Sequence, residues 1–304
     1  MAPFKSGFVS ILGRPNVGKS TLFNRIVGDK MAIVSDRPQT TRNRILGIKN
    51  IEGSQLIFVD TPGIHEGRSE LDQRIIRTAI ASGLEADLLL FTIAAPSPAV
   101  EKDRQMIESL KGSRGVSFLV INKIDLIKKE VVLPIMDQYQ RLHPFEKIIP
   151  VSAVSGEGVD ILLDEIVLVL PESPPYFPQE IITDQTERFL VSETIREKVI
   201  QESYEEIPYS TAVTVEEFKE HLERNLVVIK ATVHVERNSQ KKILIGKGGQ
   251  KLKRVGETAR KEIEGLLEKR VFLELWVNVE KNWTRDPRAL DRLGYPSTLV
   301  RKSK

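Results

Sequence analysis

The stretch Gly13-Arg14-Pro15-Asn16-Val17-Gly18-Lys19-Ser20 decides the fold. It follows a short apolar run, residues 8–12, and leads into a helix-like segment, residues 21–27. Two glycines separated by four residues, then Lys and Ser, between a strand and a helix, form the pattern of a phosphate-binding loop. The glycines let the backbone turn tightly enough for its N–H groups to converge on phosphate oxygens. The following helix adds the positive end of its dipole. Lys19 is placed to reach the outer phosphates and the Ser20 hydroxyl to ligate Mg²⁺, with Thr21 opening the helix beside them. The loop predicts a nucleoside triphosphate. It does not say which one.

The surrounding pattern extends the reading. Residues 8–12, 56–59, 88–93, 117–121 and 148–151 are apolar runs that read as buried strands, and residues 20–27, 71–83, 99–110, 131–141 and 159–170 read as helices between them. Residues 45–51 read as an added edge strand, turned back onto 56–59 through Glu52-Gly53-Ser54. Alternation of this kind predicts an α/β domain with a mostly parallel sheet covered on both faces, over residues 1–172. The pattern stops at the proline-dense residues 171–178, and residues 173–183 read as an extended, stiff linker. Beyond it, residues 184–304 carry the order α-β-β-α-α-β, predicting a smaller α+β domain. Residues 301–304 read as a disordered tail.

Composition sets outer limits. The chain has 304 residues, 40% hydrophobic and 29% charged, enough for two ordinary domains. It has no cysteine, which excludes disulfides and thiolate metal sites and fits a cytoplasmic protein. No apolar run approaches the roughly 20 residues of a membrane helix, and residues 1–5 lack the apolar core of a signal peptide. The net charge is only +3, yet between residues 237 and 260 the bases are Arg237, Lys241, Lys242, Lys247, Lys251, Lys253, Arg254 and Arg260, against Glu257 alone. Such a cluster on a near-neutral chain predicts a polyanionic partner for that segment.

Further segments narrow the nucleotide. Asp60-Thr61-Pro62-Gly63 comes directly off a strand; the Asp60 carboxylate can hold Mg²⁺ through water and the Gly63 N–H can reach a γ-phosphate. Asn122-Lys123-Ile124-Asp125 ends another strand. Asp125 can accept from the N1–H and exocyclic amine of guanine, whereas adenine would leave it unpaired, a strong basis for rejection. Asn122 can bind the other edge of guanine, the Lys123 stem can cover the ring, and Ser152-Ala153 can offer the Ala153 N–H to guanine O6. In Gln39-Thr40-Thr41-Arg42, one threonine is expected to ligate Mg²⁺ only with γ-phosphate present, Thr41 in preference to Thr40. Ras-like enzymes place a Gln after Asp-x-x-Gly to orient the attacking water; here Ile64 stands there and cannot hydrogen-bond, which predicts slow intrinsic hydrolysis. His65 follows, and a solvated role is favoured for it. The residues expected to act in catalysis are Lys19, Thr41, Gly63 and Asn16.

In the second domain, Gly246-Lys247-Gly248-Gly249 joins a short helix to a long one. Gly-x-x-Gly between two helices is the signature of a KH domain, which clamps about four single-stranded nucleotides. Lys241, Lys242, Lys247, Lys251, Lys253 and Arg254 are expected to hold the RNA backbone, and Ile243 and Ile245 either support bases or belong to the core. Trp276 reads as core from its strand alternation, with base stacking the alternative for it and for Trp283.

The chain resembles translation-factor-related GTPases and, more closely, the Era family of ribosome-assembly GTPases. Gly-Arg-Pro-Asn-Val-Gly-Lys-Ser, Gln-Thr-Thr-Arg, Asp-Thr-Pro-Gly, Asn-Lys-x-Asp and Ser-Ala carry the resemblance in the first domain. The Gly-x-x-Gly loop, Leu273–Val277 and the run from Trp283 to Tyr295 carry it in the second, which looks like a type II KH domain. The resemblance implies GTP and GDP with Mg²⁺ as ligands. It also implies K⁺ near the phosphates with Asn16 as a candidate ligand, binding to the 3′ end of small-subunit ribosomal RNA, a role in 30S maturation, and peripheral contact with the inner membrane face; a monomer is expected. Three functions remain open at this point: a GTPase switch gating RNA binding, an RNA-binding module in which nucleotide is structural, and a GTPase serving another task such as tRNA modification. For the switch, residues 37–44 and 64–74 are expected to face the second domain in one nucleotide state, with the linker and the helix at 187–203 carrying the coupling.

Overall fold

The structure, a computed structural model, describes residues 3–34, 40–64, 67, 69–98, 100–109, 115–203 and 206–297. The expectations for Gln39, His65, residues 37–38 and the tail 301–304 fall outside these residues. The chain divides into two compact units, Met1–Gly67 with Ile75–Asp184, and Arg68–Arg74 with Gln185–Lys304.

The first unit runs β1 (Lys5–Leu12), α1 (Lys19–Val27), β2 (Ile45–Ile51), β3 (Ser54–Asp60), α2 (Glu70–Glu85), β4 (Leu88–Ala94), α3 (Val100–Ser109), β5 (Val116–Asn122), α4 (Val132–Gln140), β6 (Lys147–Pro150) and α5 (Val159–Val169), α2 straddling the two units. Its six-stranded sheet has the order β2-β3-β1-β4-β5-β6. β1 pairs in parallel with β3 and β4, β4 with β5 and β5 with β6, while β2 is antiparallel to β3. Every residue of β3 and β4 is buried, as expected of strands covered on both faces. The helices contribute matching apolar sides, such as Met106 and Ile107 of α3 and Ile135 and Tyr139 of α4 over Phe91, Leu119 and Ile121. The carboxyl ends of β1, β3, β5 and β6 therefore deliver the phosphate loop, Asp60, Asn122 and Ser152 to one rim, where open α/β sheets hold their ligands.

The proline-rich segment is a strap and not a free spacer. Gln55, fully buried on β3, accepts from the N–H groups of Tyr176 and Phe177 at 2.8 and 3.0 Å and donates to the Phe177 carbonyl at 2.8 Å. The Ile48 N–H donates to the Ile182 carbonyl at 2.8 Å, and the Thr183 hydroxyl to the Leu46 carbonyl at 2.6 Å. Phe177 packs with Leu46, Ile48, Ile57 and Phe8. Prolines leave few donors of their own, so the sheet's edge and one buried amide supply the partners.

The second unit runs α6 (Glu187–Gln201), β7 (Ala212–His221), β8 (Leu226–Val235), α7 (Asn238–Ile245), α8 (Gln250–Leu267), β9 (Arg270–Val279) and α9 (Pro287–Arg292). β8 pairs antiparallel with β7 and in parallel with β9, giving the order β7-β8-β9. The parallel pair requires a crossover, which α7 and α8 supply. Val255, Ala259, Ile263 and Leu267 of α8 recur at helical spacing and pack with Val191, Ile195 and Val199 of α6 over Val227, Ile229, Ala231 and Val233 of β8.

Two tryptophan readings are corrected by the structure. Trp276 is not core: it is 58% exposed, on the face of β9 turned away from the helices. Trp283 is fully buried, donates to the Ser210 carbonyl at 3.1 Å and stacks on Tyr295, so it is not a base-stacking residue. Alternation along β9 identifies two faces, but only the position of the helices decides which one is inside. Ile245 packs at the edge of the core, whereas Ile243 is half exposed.

Candidate nucleotide site and nucleic-acid groove

Backbone geometry explains the composition of the loop. Gly13 and Gly18 both adopt positive φ, 152° and 93°. A Cβ on Gly13 would lie 2.2 Å from the Thr92 carbonyl oxygen, and one on Gly18 2.3 Å from the Asn122 amide nitrogen. Asn16 also takes positive φ, 64°, in keeping with the tolerance of Asn for that region.

Three segments converge at the cation end. The Asp60 carboxylate accepts from the Ser20 hydroxyl at 2.8 Å and from the Thr41 hydroxyl at 3.3 Å, and the two hydroxyls lie 2.8 Å apart. Thr41, preferred over Thr40, is the threonine that reaches this cluster. Asp60 Oδ1 is buried without a hydrogen-bond partner. An all-oxygen set with an unspent carboxylate oxygen fits a hard cation such as Mg²⁺. Among the described residues no group of three or more His, Cys, Asp or Glu side chains could hold a metal; the oxygens gathered here are two hydroxyls and one carboxylate.

The electrostatics point the same way. Lys19 is buried and donates to the carbonyls of Gly13 and Arg14 at 3.1 and 2.9 Å. Burial pushes its pKa down to about 8, with Asp60 opposing the shift and Arg14 adding to it. Burial likewise pushes Asp60 up to about 6, against the pull of Lys19 and its hydrogen bonds. Lack of water makes the charged form of each group costlier than in solution; phosphate beside Lys19 and a cation beside Asp60 would stabilise those charged forms.

The rim encloses a cavity of about 560 Å³, within the usual range for a ligand pocket. Of the predicted residues, Pro15, Asn16, Gly18, Lys19, Ser20, Thr21, Gly63, Asn122, Lys123, Asp125 and Ala153 line it, together with Thr40 and Thr41. Gly13, Arg14, Val17, Asp60, Thr61, Pro62 and Ser152 stand behind the lining. Thr61 donates to the Ile11 carbonyl, and the Ser152 hydroxyl accepts from the Ser155 N–H within its own turn. Arg14 turns outward to Asp103 at 2.8 Å.

Asn122 lines the cavity and has a structural task beside the one its motif suggested. Its amide donates to the Val17 carbonyl at 2.9 Å, and its oxygen accepts from the N–H groups of Lys123 and Ala153 at 2.8 and 3.0 Å. It ties the phosphate loop to the base-binding loops. The Ala153 N–H, expected to point at guanine, is spent on Asn122. Asp125 sits in a short 3₁₀ turn and is exposed to the cavity.

Sequence reasoning did not find Ile33, Val34, Leu126 and Val154, which give the cavity its apolar walls. Nor did it find Arg25, which donates to the carbonyls of Ala153 and Val154 and fixes that wall. No local pattern marks these residues.

In the second unit, Gly246, Gly248 and Gly249 all take positive φ, and a Cβ on Gly246 would meet the Lys251 Cβ at 2.8 Å. A turn this tight leaves the Lys247 side chain exposed at its tip. Beside it a groove of about 330 Å³ lies between α8 and β9, lined by Gly249, Leu252, Lys253, Gly256, Glu257, Arg260, Leu273 and Leu275. Of the predicted RNA contacts Gly249 and Lys253 line it. Lys241, Lys242, Gly246, Lys247, Gly248, Lys251 and Arg254 belong to the turn and the flanking helices; Arg254 pairs with Glu202 at 3.4 Å. Leu252, Gly256, Leu273 and Leu275 make the apolar floor, which the search for basic residues passed over.

A phosphate loop, a hydroxyl–carboxylate cation cluster and an exposed Asp at the base end of one cavity define a P-loop GTPase, here followed by a KH domain. Residues 8–123 match the 50S ribosome-binding GTPase family and residues 206–284 the KH domain family. The chain is 53% identical to the GTPase Era of Syntrophus aciditrophicus over 96% of this chain and 95% of that one, and 52% identical to that of Geobacter metallireducens over 96% and 98%. Its fold matches a variant of Aquifex aeolicus Era bound to GDP·AlF₄⁻ (TM-score 0.93, 41% identity, 96% and 100% of the two chains). It also matches Era in complex with MgGDPNP and nucleotides 1506–1542 of 16S ribosomal RNA (TM-score 0.92, 42% identity, 96% and 99%). The chain belongs to the Era family of GTPases.

Proposed function

We propose that this protein is a GTP-driven switch that times how long its KH domain holds single-stranded RNA, the 3′ end of small-subunit ribosomal RNA, during 30S maturation. The observation that carries the switch is the strap. The segment leading to the second unit is hydrogen-bonded to β2 and β3, and those strands begin just after Thr41 and end at Asp60, the residues of the cation cluster. A change at the cluster therefore reaches the strap through one hairpin.

In this reading Lys19 and the loop N–H groups hold the phosphates, Ser20 and Thr41 ligate Mg²⁺, and Asp60 orients its water. Asp125 selects guanine, and Gly63 senses the γ-phosphate. Mg²⁺ held at the cation cluster would supply charge neutralisation to the phosphates. Ile64 packs among apolar neighbours and offers no side-chain donor to the water, which supports slow intrinsic hydrolysis. Asn16 is proposed as a K⁺ ligand; equal turnover in KCl and NaCl would remove that role.

Among the described residues no helix is long and apolar enough to cross a membrane; cytoplasmic location with peripheral membrane contact, and a monomeric state, rest on the family resemblance. The deciding experiment measures RNA affinity with GDP and with a non-hydrolysable GTP analogue. Equal affinity in both states would refute the switch, because a ligand shifts an equilibrium only by its differential binding. Replacing Asp125 by Asn turns one acceptor into a donor and should cost GTP binding far more than it costs stability, with affinity moving toward xanthine nucleotides, whose C2 carbonyl accepts.

A further inference from the structure

The edge strand β9 has two unlike faces. Leu273 and Leu275 turn toward α8 and floor the groove. Phe272 and Trp276 turn the other way and are 55% and 58% exposed. They lie four residues apart on one face, a separation of about 13 Å along the strand. Across the sheet Phe272 registers with Val228 and Trp276 with Thr232, so neither ring is covered by a large neighbour on β8. Nothing in the folding of the unit requires two aromatic rings in water, since the core is built entirely on the opposite face. Exposed aromatics of this kind mark interaction surfaces.

The charges around them are balanced. Lys230 sits between Glu217, at 2.7 Å, and its register partner Glu274. Lys219 and Arg270 lie at the margins of the same face. This face therefore has little net pull on phosphate, unlike the turn at Lys247. What it offers is flat aromatic area on the strand whose opposite face makes the groove's floor.

We infer that Trp276 and Phe272 form a stacking shelf for bases of the same single-stranded RNA that occupies the groove, where the chain leaves the groove and folds over the edge of β9. The inference rests on the RNA-binding reading of the KH domain and adds a second contact to it. Continuity along one edge strand identifies the occupant: RNA held in the groove would lie against Leu273 and Leu275, each next in sequence to one of the exposed rings. A base stacked on an exposed aromatic ring gains affinity without a phosphate contact. The contribution of the shelf is therefore insensitive to salt, while that of the groove and turn weakens as salt rises.

The test uses the full chain, its Trp276→Ala, Trp276→Phe and Phe272→Ala variants, and single-stranded RNAs from about four nucleotides, enough to fill a KH groove, to about three times that length. Trp276→Ala should bind the short RNA like wild type and lose about tenfold for the long one, within the range of one lost base stack. Trp276→Phe should recover most of the loss, and the salt dependence should be the same in all proteins. The chain has only two tryptophans and Trp283 is fully buried, so quenching of exposed tryptophan emission reports on Trp276 directly: the long RNA should quench it and the short one should not. Wild-type affinity of Trp276→Ala for long RNA, with no quenching, would overturn the shelf and leave this face to a protein partner. Equal loss for short and long RNA would also overturn it, by showing a structural effect on the groove. Failure of the wild-type protein to bind RNA of any length would refute the RNA reading itself and the shelf with it.

Discussion

Asp103→Asn separates what holds the phosphate loop in place from what the loop binds. Asp103 is fully buried on α3 and accepts from two donors, the Arg14 Nε–H at 2.8 Å and the Tyr139 hydroxyl. Asparagine keeps one acceptor oxygen for Arg14, and its N–H₂ can donate to the Tyr139 hydroxyl oxygen, so what is lost is the buried negative charge opposite the guanidinium. Removing one partner of a fully buried ion pair costs about 3–5 kcal/mol. The Arg14 side chain is 20% exposed, so water takes up part of the loss. The expected destabilisation is about 2–3 kcal/mol. Arg14 is also the tie between the loop and α3, since its Nη2 donates in addition to the Ser97 carbonyl at 3.0 Å. With the ion pair reduced to a neutral hydrogen bond the tie is weakened, and nucleotide binding must order that residue again, at about 1–2 kcal/mol, or about tenfold in Kd for GDP. Urea unfolding gives the first quantity and titration with a fluorescent GDP analogue the second. Tyr139→Phe is the control: it removes a hydroxyl that does not touch the loop, and should lose about 1 kcal/mol of stability with GDP affinity unchanged. Wild-type GDP affinity in Asp103→Asn, or an equal loss of affinity in Tyr139→Phe, would refute the argument.

Other substitutions test neighbouring claims. A Cβ on Gly63 would lie 2.8 and 2.9 Å from the Pro15 backbone N and Cα, so Gly63→Ala should weaken binding of a GTP analogue at least tenfold more than binding of GDP, in the range of one lost hydrogen bond to a charged group; competition binding reads the ratio, and an unchanged ratio removes Gly63 as the γ-phosphate sensor. Gln55→Ala leaves the Tyr176 and Phe177 N–H groups without their buried acceptor and should cost about 2–4 kcal/mol; limited proteolysis should then cut within residues 172–184, and a strap that stays protected would show that packing of Phe177 alone holds it. His234 is buried with Nδ1 3.2 Å from Glu280 and Nε2 2.9 Å from Thr214, and burial lowers its pKa from 6.5 against the pull of Glu280 and Glu216. The folded state therefore refuses a proton that the unfolded state accepts. The stability tied to this group is present above pH 6.5 and lost as pH falls below it, at up to about 1.4 kcal/mol per pH unit. His234→Gln should flatten that part of the stability profile, and an identical slope in variant and wild type would contradict the assignment.

The fold was legible wherever one local pattern had one structural solution. Gly13 and Gly18 occur where any side chain would strike the backbone or Asn122, so the motif and the geometry are the same statement. Strands such as β4, buried over their whole length, read as continuous apolar runs. What sequence could not supply was a choice between partners. Alternation in β9 separated Trp276 from Leu275 but gave no sign of which face meets the helices. The side chain of Asn122 has the chemistry to bind guanine, yet four protein groups already hydrogen-bond to it. Ile33 and Val154 line the cavity only because separate loops bring them there. The buried charges of α6 illustrate the limit further: Arg196 pairs with Glu193 at 2.6 Å and Lys198 with Glu262, placing ions where a hydropathy reading puts a solvated face.

The strap changes how a switch in this chain would act. A stiff proline linker without contacts to the sheet would set a spacing and no more. Here the segment is pinned at Gln55 on β3 and at Leu46 and Ile48 on β2. Those strands are in register from Ile51↔Ser54 to Ile45↔Asp60, so they move as one hairpin or not at all. Its far end holds Asp60 and begins four residues after Thr41. Interiors packed this closely do not deform smoothly; they exchange one discrete arrangement for another. If γ-phosphate and Mg²⁺ draw Thr41 and Asp60 together, the hairpin either stays put, and nothing reaches the strap, or shifts and carries residues 176–183 with it. Gln55→Ala distinguishes the two: in the second case it should abolish the difference in RNA affinity between nucleotide states while leaving GDP affinity and hydrolysis near wild type, because Gln55 touches neither the cavity nor its walls.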